Sequence, residues 1–186
     1  MKGEVRIIGG KWRGRKLTVP KEATVRPTPD RVRETLFNWL MRVLPGAYCL
    51  DAFAGTGVLG FEALSRGAAH VTMIDQSKNV IFLLKEELKK FDVEKENANI
   101  YQGVLPKELK KPSQAWDIVF LDPPYQMPLL LPMCFYLENQ GYLANPAHIY
   151  IESPAPIEDT MLPTSWKIIK SKKAGMVAYH LVQRLV

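Results

Sequence analysis

The alternation of short apolar runs with longer amphipathic segments after residue 47 constrains the fold of this chain more than any other feature. Short apolar runs predict buried strands, and apolar residues at helical spacing predict helices. The predicted strands are 48–53, 70–74, 98–101, 116–121, 149–152, 166–170 and 177–185, and the predicted helices are a segment ending near 66, then 77–91, 105–109 and 129–139. This alternation predicts an α/β fold with a doubly wound, mostly parallel seven-stranded sheet and an antiparallel C-terminal strand.

The N-terminal segment holds the whole basic excess of the chain. Residues 1–42 carry 11 Lys and Arg against 4 Asp and Glu, whereas residues 43–186 carry 14 against 15. Glycines between apolar pairs predict a small β-hairpin with exposed cations. These cations are Lys11, Arg13, Arg15 and Lys16. A basic cluster of this kind favours a nucleic-acid partner over a merely solvated tail.

A helix is predicted to follow the hairpin. Thr28 is suited to cap it, Pro29 to occupy its first position, and Pro45-Gly46 to end it. We therefore divide the chain into a basic N-terminal extension, residues 1–44, and an α/β domain, residues 45–186.

Several classes of protein are disfavoured by composition. Cys49 and Cys134 lie far apart in apolar runs, which predicts buried free thiols in a reducing, cytoplasmic environment. The three histidines show no metal-ligand spacing with each other or with cysteine, so no metal site is expected. The start of the chain has no apolar signal segment, and the apolar stretch 127–137 is too short to span a membrane.

The sequence Asp122-Pro123-Pro124-Tyr125 closes the apolar run 116–121. Ligands of open α/β sheets bind at the carboxyl ends of the strands. At such an end, a carboxylate and the Pro123 carbonyl can accept hydrogen bonds from an exocyclic amine, and the tyrosine ring can stack on a flat base. Asp-Pro is also a common turn opener, so the motif alone leaves both interpretations open.

A glycine loop follows the first strand of the α/β domain. Gly55-Thr56-Gly57-Val58-Leu59-Gly60 matches the dinucleotide fingerprint, and Asp75 lies at the end of the next strand. A nicotinamide oxidoreductase is therefore a rival. Asp51 argues against it, because a carboxylate at this strand end repels a pyrophosphate and attracts the sulfonium and ammonium of S-adenosylmethionine. At ~4 Å and an effective dielectric near 20, the charge interaction is of order 4 kcal/mol before desolvation. A purely structural role, in which Asp51 caps the following helix, also remains open.

Taken together, these loops and the N-terminal blocks resemble the RsmD family, bacterial 16S rRNA guanine-N2 methyltransferases with a Rossmann-like class I fold. The resembling segments are 6–17, 26–28, 30–39, 51–60, 62–68 and 122–125, with Gly175, Tyr179 and Leu181 near the end. The resemblance implies a monomeric cytoplasmic enzyme that uses S-adenosylmethionine and acts on 16S rRNA within the 30S subunit or an assembly intermediate.

The resemblance also implies three sets of site residues. The catalytic set is Asp122, Pro123, Pro124 and Tyr125. The cofactor-binding set is Asp51, Phe53, Gly55, Thr56, Gly57, Asp75, Gln76, Gln102, Gly103 and Val104. The RNA-binding set is Lys11, Arg13, Arg15, Lys16, Arg26, Arg31 and Arg33. One departure concerns 102–104, where many methyltransferases place an acidic or amide side chain against the adenine and this chain has Gln-Gly-Val without an acid.

Three alternatives stay open at this point. A DNA amino-methyltransferase shares the Asp-Pro-Pro-Tyr corner, but the chain has no room for a separate DNA-recognition domain. A protein-glutamine methyltransferase is expected to have Asn where this chain has Asp122. A non-catalytic RNA-binding module needs no acid at position 51 and is expected to show no affinity for the cofactor.

Overall fold

The computed structural model describes residues 3–19, 28–124 and 128–185. Its strands are β1 (Glu4–Arg6), β2 (Lys16–Thr18), β3 (Tyr48–Asp51), β4 (His70–Asp75), β5 (Ala98–Gln102), β6 (Trp116–Leu121), β7 (Leu143–Ser153), β8 (Trp166–Ala174) and β9 (Val177–Arg184). Its α-helices are α1 (Asp30–Leu40), α2 (Val58–Ser65), α3 (Lys78–Lys90) and α4 (Leu130–Asn139), and 3-10 turns occupy Gly10–Trp12 and Asp159–Met161.

The main sheet has seven strands in the order β5-β4-β3-β6-β7-β9-β8. The first five strands of this order are parallel, whereas β9 is antiparallel to both β7 and β8. The predicted fold class, with its antiparallel C-terminal strand, is confirmed. Because β3, β4, β5, β6 and β7 run in one direction, their carboxyl ends form a single edge of the sheet, called here the carboxyl edge.

Two apolar cores cover the two faces of the sheet. On one face, α1, α2 and α3 pack on the sheet through buried residues such as Leu36, Phe61 and Leu84. On the other face, α4 packs through Met133 and Leu137. We call these the α1 face and the α4 face. Alternate strand residues point to opposite faces, which is why buried strands can be apolar throughout.

The N-terminal hairpin, β1 paired with β2, packs into the core of the α1 face rather than standing apart from it. Val5, Ile7, Trp12 and Leu17 are buried there. The ring of Trp12 lies against Phe91 at a centroid distance of 4.9 Å. The predicted hairpin is therefore present, and the division of the chain at residues 44 and 45 stays a prediction about function.

The hairpin is joined to α2 by polar contacts as well. The Ile8 N–H donates to Glu62 Oε2 at 3.0 Å, and the Trp12 N–H donates to Ser65 Oγ at 2.9 Å. A Cβ at Gly10, where φ is +73°, would collide with the Ser65 carbonyl, so the close approach requires glycine. The hairpin and the helix after the glycine loop thus form one rigid unit.

Four local predictions differ from the structure. Residues 105–109 form turns rather than a helix, because Pro106 supplies no N–H and the segment is too short to propagate. Thr28 does not cap α1, since Pro29 holds the N-cap position and the Thr28 side chain bonds to Glu152 instead. Strand β7 begins at Leu143, well before predicted residue 149, and β8 continues to Ala174.

None of the helices in the described part of the chain is long and apolar enough to cross a membrane. Cys49 and Cys134 are free and buried, as predicted.

Candidate active site

Four acidic residues stand at or beside the carboxyl edge. Asp51 ends β3, Asp75 ends β4, Asp122 follows β6 and Glu152 lies one residue before the end of β7. Strands β4, β3, β6 and β7 are consecutive neighbours in the sheet. The edge therefore carries a row of carboxylates, which suits a cationic ligand and repels phosphate.

Asp51 is buried and caps the helix that follows it. The Gly60 N–H donates to its Oδ2 at 3.0 Å, so the structural role considered for this residue is present. Burial, with an added contribution from Asp75, raises the pKa of Asp51 to about 7, against the lowering effect of the Gly60 hydrogen bond. A buried acid that has given up this much hydration gains strongly from a nearby cation. The capping role and an attraction for a cationic ligand are thus compatible.

Asp75 holds two loops in place. Its Oδ2 accepts from the Gly55 N–H at 3.0 Å and its Oδ1 accepts from the Ser77 N–H at 2.8 Å. The carboxylate is only half-buried and has further lone pairs on the open side. It can therefore still accept hydrogen bonds from the ribose hydroxyls of a nucleoside.

The glycine loop lies between these two acids. Gly55 has a φ of +51°, and a Cβ built there would meet only the Phe53 carbonyl within 4 Å, which leaves open space for a ligand. Gly57 has a φ of +73° and precedes α2, but a Cβ there would collide with Leu84. Gly57 is thus required by internal packing, and Gly55 borders the open side. Thr56 is buried with its Oγ1 accepting from the Val58 N–H, and Phe53 is half-buried.

The end of β5 completes this half of the edge. The Gly103 N–H donates to the Asp75 carbonyl at 3.0 Å, and the Gln102 side chain donates to the Gln76 carbonyl at 2.9 Å. Val104 is exposed, and its N–H donates to Glu108 Oε2 at 2.6 Å. The carboxylate of Glu108, four residues further along the chain, therefore contacts the backbone at Val104. Glu108 could not be predicted from the residues directly after the strand, because it reaches Val104 only through the turn at 105–108.

The structure places Asp122, Pro123 and Pro124 just beyond β6, next to Asp51. Asp122 is half-buried, and its pKa is raised well above its ordinary value by burial, by Glu152 and by Asp51. Within the described ranges, neither the Asp122 carboxylate nor the Pro123 carbonyl has a hydrogen-bond partner. Two acceptors are therefore available to a substrate at this corner. Tyr125 lies outside the described residues.

Glu152 and Tyr150 are neighbours of this corner that sequence reasoning missed. Glu152 is buried, and the Tyr150 hydroxyl donates to its Oε1 at 2.8 Å. Burial raises the pKa of Glu152 despite hydrogen bonds from Tyr150 and Thr28. The available signal was an acid at the carboxyl end of a predicted strand, the same signal that singled out Asp51 and Asp122. Through its hydrogen bond with Thr28, Glu152 also connects the start of α1 to the corner after β6.

The predicted RNA-binding cations are dispersed. Those that are exposed are Lys11, Arg13, Arg15, Lys16 and Arg31. Of these, Lys16 forms a salt bridge with Glu4 at 2.6 Å, and Arg15 lies over the Phe91 ring at 3.9 Å. Arg26 lies outside the described residues.

Arg33 is a correction to the RNA-binding set. Its side chain is fully buried, and it donates to the Arg6 carbonyl at 2.9 Å and to Asp30 at 2.6 Å. A further contact joins it to Glu62 at 3.4 Å. The buried carboxylate of Glu62 draws the guanidinium inward. Arg33 therefore fastens the hairpin to α1 and α2 and does not face a polyanion.

The hairpin cations also lie far from the carboxyl edge. Helices α2 and α3 begin at that edge, and the loop between β1 and β2 contacts Ser65, the last residue of α2, and Phe91, which directly follows α3. With 13 residues, α3 is about 20 Å long. Lys11, Arg13 and Arg15 therefore sit towards the opposite end of the sheet from Asp122.

The sheet order, the glycine loop and the acidic strand ends define the architecture of a class I methyltransferase. The solved structure of yhhF from Escherichia coli superposes with a TM-score of 0.88 and 45% sequence identity, covering 99% of each chain. The chain belongs to the family described as conserved hypothetical protein 95, whose profile matches residues 5–183. The family resemblance predicted from the sequence is thereby confirmed.

Two curated relatives carry the same name, ribosomal RNA small subunit methyltransferase D. The relative from Escherichia coli strain K12 is 46% identical over 182 residues, covering 98% of this chain and 91% of the relative. The relative from Haemophilus influenzae is 44% identical over 184 residues, covering 98% of this chain and 95% of the relative.

Proposed function

We propose that this protein transfers a methyl group from S-adenosylmethionine to the exocyclic N2 of a guanine in the 16S rRNA of the small ribosomal subunit. The observation that carries the proposal is the placement of Asp51 and Asp122 at neighbouring strand ends, beside a Pro123 carbonyl that has no hydrogen-bond partner among the described residues. One acid suits a cationic methyl donor, and the other, with the carbonyl, suits an amine beside it.

The residues at the edge of β3, β4 and β5 fit the cofactor. Asp51 is a buried carboxylate next to the open side of Gly55, and Asp75 offers acceptors to ribose hydroxyls. Gln76, Gln102, Gly103 and Val104 border the position proposed for the adenine, with Glu108 behind Val104. When bound, S-adenosylmethionine supplies an electrophilic methyl group on a positively charged sulfur.

The corner after β6 is proposed to orient the amine. The guanine amine is a poor nucleophile because its lone pair is delocalised into the ring. Two acceptors, the Asp122 carboxylate and the Pro123 carbonyl, can each take one N–H and so favour a pyramidal nitrogen whose lone pair points at the cofactor side. Asp122 also stabilises the positive charge that develops on the nitrogen as the N–C bond forms and the S–C bond of the donor breaks, and the nitrogen then releases one proton to water. Pro124 fixes the backbone, and Tyr125 is proposed to stack on the extruded base.

The choice of rRNA rests on the relatives and on charge. Both curated relatives are named as small-subunit rRNA methyltransferases and match nearly the full length of the chain. The chain carries a formal net charge of +6, which suits a polyanionic partner. A DNA amino-methyltransferase is the second candidate, because the Asp122 corner alone does not distinguish one base amine from another.

One experiment separates these candidates. The protein is incubated with methyl-labelled S-adenosylmethionine and with naked 16S rRNA, 30S particles or duplex DNA, and the labelled base is mapped. We expect label in one guanine of 16S rRNA, on N2, in the RNA or particle samples. Label in DNA, or on another atom, would overturn the assignment of substrate. Cofactor binding without transfer to any of the three would overturn the assignment of activity.

A further inference from the structure

The C-terminal hairpin, β8 and β9 with the turn at Gly175-Met176, carries a second basic surface near the active site. Residues 166–177 contain four lysines and no Asp or Glu. These lysines are Lys167, Lys170, Lys172 and Lys173, and all four are exposed. Within the described ranges, none of their side-chain amines forms a salt bridge or hydrogen bond. Their charge is thus available to a partner.

Three of the lysines lie on one face of the hairpin. Lys170 and Lys172 are cross-strand partners of Leu181 and Tyr179, which pack into the core of the α1 face. Lys167 is opposite Gln183, two residues from Leu181, and shares their side because side chains alternate along a strand. The lysines therefore form a row on the α1 face at the outermost strand of the sheet.

The row reaches the level of the catalytic corner. Glu152 pairs with Tyr179, and Tyr179 pairs with Lys172. In β6, Leu121 pairs with Ile151 of β7. The residues that follow them, Asp122 and Glu152, therefore lie at the same height along the strand direction, and so does Lys172. Three inter-strand steps separate β6 from β8, or about 14 Å. The turn at Gly175-Met176 extends further beyond the carboxyl edge, with the Met176 side chain 86% exposed.

The base of this hairpin is held firmly. The Tyr179 ring lies 5.6 Å from the Trp39 ring of α1 and 6.5 Å from the Tyr150 ring, centroid to centroid. Strand β9 is paired along its whole length with both β7 and β8. The lysines are consequently presented in fixed positions relative to Asp122.

We propose that the β8–β9 hairpin is an RNA-binding surface that grips the phosphate backbone beside the target nucleotide. This proposal rests on the proposed function. An RNA entering the carboxyl edge meets the carboxylates of Asp51, Asp75, Asp122 and Glu152, which repel its phosphates. The N-terminal hairpin cations lie towards the other end of α3 and cannot offset that repulsion locally. Among the described residues, the lysine row is a basic surface that flanks the substrate half of the edge, with the exposed Arg31 at the start of α1 as a further cation on that side.

A competing explanation is that the lysines only protect an exposed sheet edge from pairing with another chain. Charge reversal distinguishes the two, because a glutamate on an edge strand blocks pairing as well as a lysine does but repels phosphate. The test variant is Lys170→Glu with Lys172→Glu. The matched control is Lys85→Glu with Lys111→Glu, which makes the same charge change at exposed positions elsewhere.

RNA affinity is measured by filter binding against salt concentration for wild type, test and control, with cofactor affinity measured by calorimetry. We expect the test variant to lose about tenfold or more in RNA affinity and about one to two units of salt slope, as for two lost phosphate contacts. Cofactor affinity should be unchanged in all three proteins. The KM for RNA should rise in the test variant, with kcat close to that of the wild type.

Equal RNA affinity and salt slope in test and control would overturn the proposal and leave the lysines as edge protection. If the wild type itself neither binds nor methylates RNA, the proposed function fails, and the hairpin proposal fails with it. If the wild type methylates RNA and the test variant matches it, only the hairpin proposal fails. The two failures are therefore distinguishable.

Discussion

Asp51 combines two duties that depend on the same carboxylate. It accepts a hydrogen bond from Gly60, which fixes the start of α2, and it stands as a buried charge beside the glycine loop. Burial raises its pKa to about 7, so the cofactor-free protein bears a cost for keeping it ionised at higher pH. On the proposed function, a bound cationic cofactor offsets this cost.

Replacing Asp51 with Asn should reveal that cost. A carboxyl whose folded pKa is raised destabilises the protein as pH rises from its ordinary pKa through the folded value, and has no such effect below the ordinary pKa. Asn keeps an acceptor for the Gly60 N–H without the charge. In the cofactor-free protein, Asp51→Asn should therefore raise the free energy of unfolding at pH 8, by at most about 4 kcal/mol, and have little such effect at pH 4.

Denaturant unfolding at the two pH values measures this difference, and calorimetry should show weaker binding of S-adenosylmethionine by the variant at pH 8. A variant that is destabilised equally at both pH values, with unchanged cofactor affinity, would contradict the charge argument for Asp51.

Asp122 is expected to act on the reaction rather than on the cofactor. Asp122→Ala removes one of the two acceptors for the amine and the charge that stabilises it, so single-turnover methyl transfer should slow by roughly a hundredfold or more. Asp122→Asn is the matched control. It keeps an acceptor, so its rate of methyl transfer should lie between those of the wild type and the alanine variant. Cofactor affinity, followed by calorimetry, should change little in either variant. Near-normal transfer by the alanine variant would exclude the proposed role.

At the scale of elements, α2 joins the glycine loop to the N-terminal hairpin. Its first residue follows Gly57, and its last turns hold the hairpin through Glu62 and Ser65. Glu62 is fully buried and accepts from Arg33, from Arg66 and from the Ile8 N–H. A single buried carboxylate therefore pairs with two guanidinium groups, one of which is also paired with Asp30, and accepts from a backbone N–H just after β1.

Glu62→Gln should be strongly destabilising, because it leaves two arginines without their shared counter-charge. The expected loss is about 3 kcal/mol in the free energy of unfolding. Glu86→Gln, which breaks the exposed pair with Lys89, is the matched control and should cost less than about 1 kcal/mol. Urea unfolding of both variants makes the comparison, and equal losses would show that the buried cluster is no more important than a surface pair.

Elements with a strong apolar pattern were predictable, and those that depend on neighbours were not. The apolar pattern alone predicts the parallel strands and α3. Strand β8 was predicted to end at residue 170, because its remaining lysines show no apolar alternation and only pairing with β9 makes them a strand. The early part of β7 was missed because Asn145-Pro146 reads as a turn, yet Leu143 pairs with Trp116.

At the scale of the whole molecule, the basic surfaces are separated. The N-terminal hairpin presents Lys11 and Arg13 near the last turns of α2 and α3, whereas the C-terminal hairpin carries a row of lysines that ends with Lys172 and Lys173 at the carboxyl edge. The net charges of residues 1–42 and 43–186 did not indicate this arrangement, because residues 43–186 are close to neutral in sum and their lysine row is therefore not visible in the total.

Lys11→Ala with Arg13→Ala should weaken RNA binding and lower its salt slope by about one unit per lost contact, because each neutralised phosphate releases counterions. Both side chains are exposed, so the fold should tolerate the change. Arg15 is less suitable for this test, since it also lies over Phe91. Lys85→Ala with Lys111→Ala is the control. An unchanged salt slope in the hairpin variant would show that Lys11 and Arg13 are solvated charges that do not contact RNA phosphates.

The candidate site was predictable as far as it is local in sequence. Asp51, Asp75 and Asp122 were identified because each lies at the end of a predicted strand. Arg33 was misassigned because its inward turn depends on Glu62, a residue on a different helix. Long-range contacts of this kind leave no periodic signal in the chain.

The length of α3 has a consequence for the size of the substrate. An RNA that places its base at Asp122 and its backbone at Lys11 and Arg13 must extend over at least about 20 Å, the length of this 13-residue helix, because α3 starts after β4, two inter-strand steps from β6. The length of α3 thus sets a minimum span for an RNA that contacts both the Asp122 corner and the N-terminal hairpin. Progressive trimming of a stem-loop should leave methylation intact down to that span and weaken it sharply below, so a minimal hairpin is a poor mimic of the natural target.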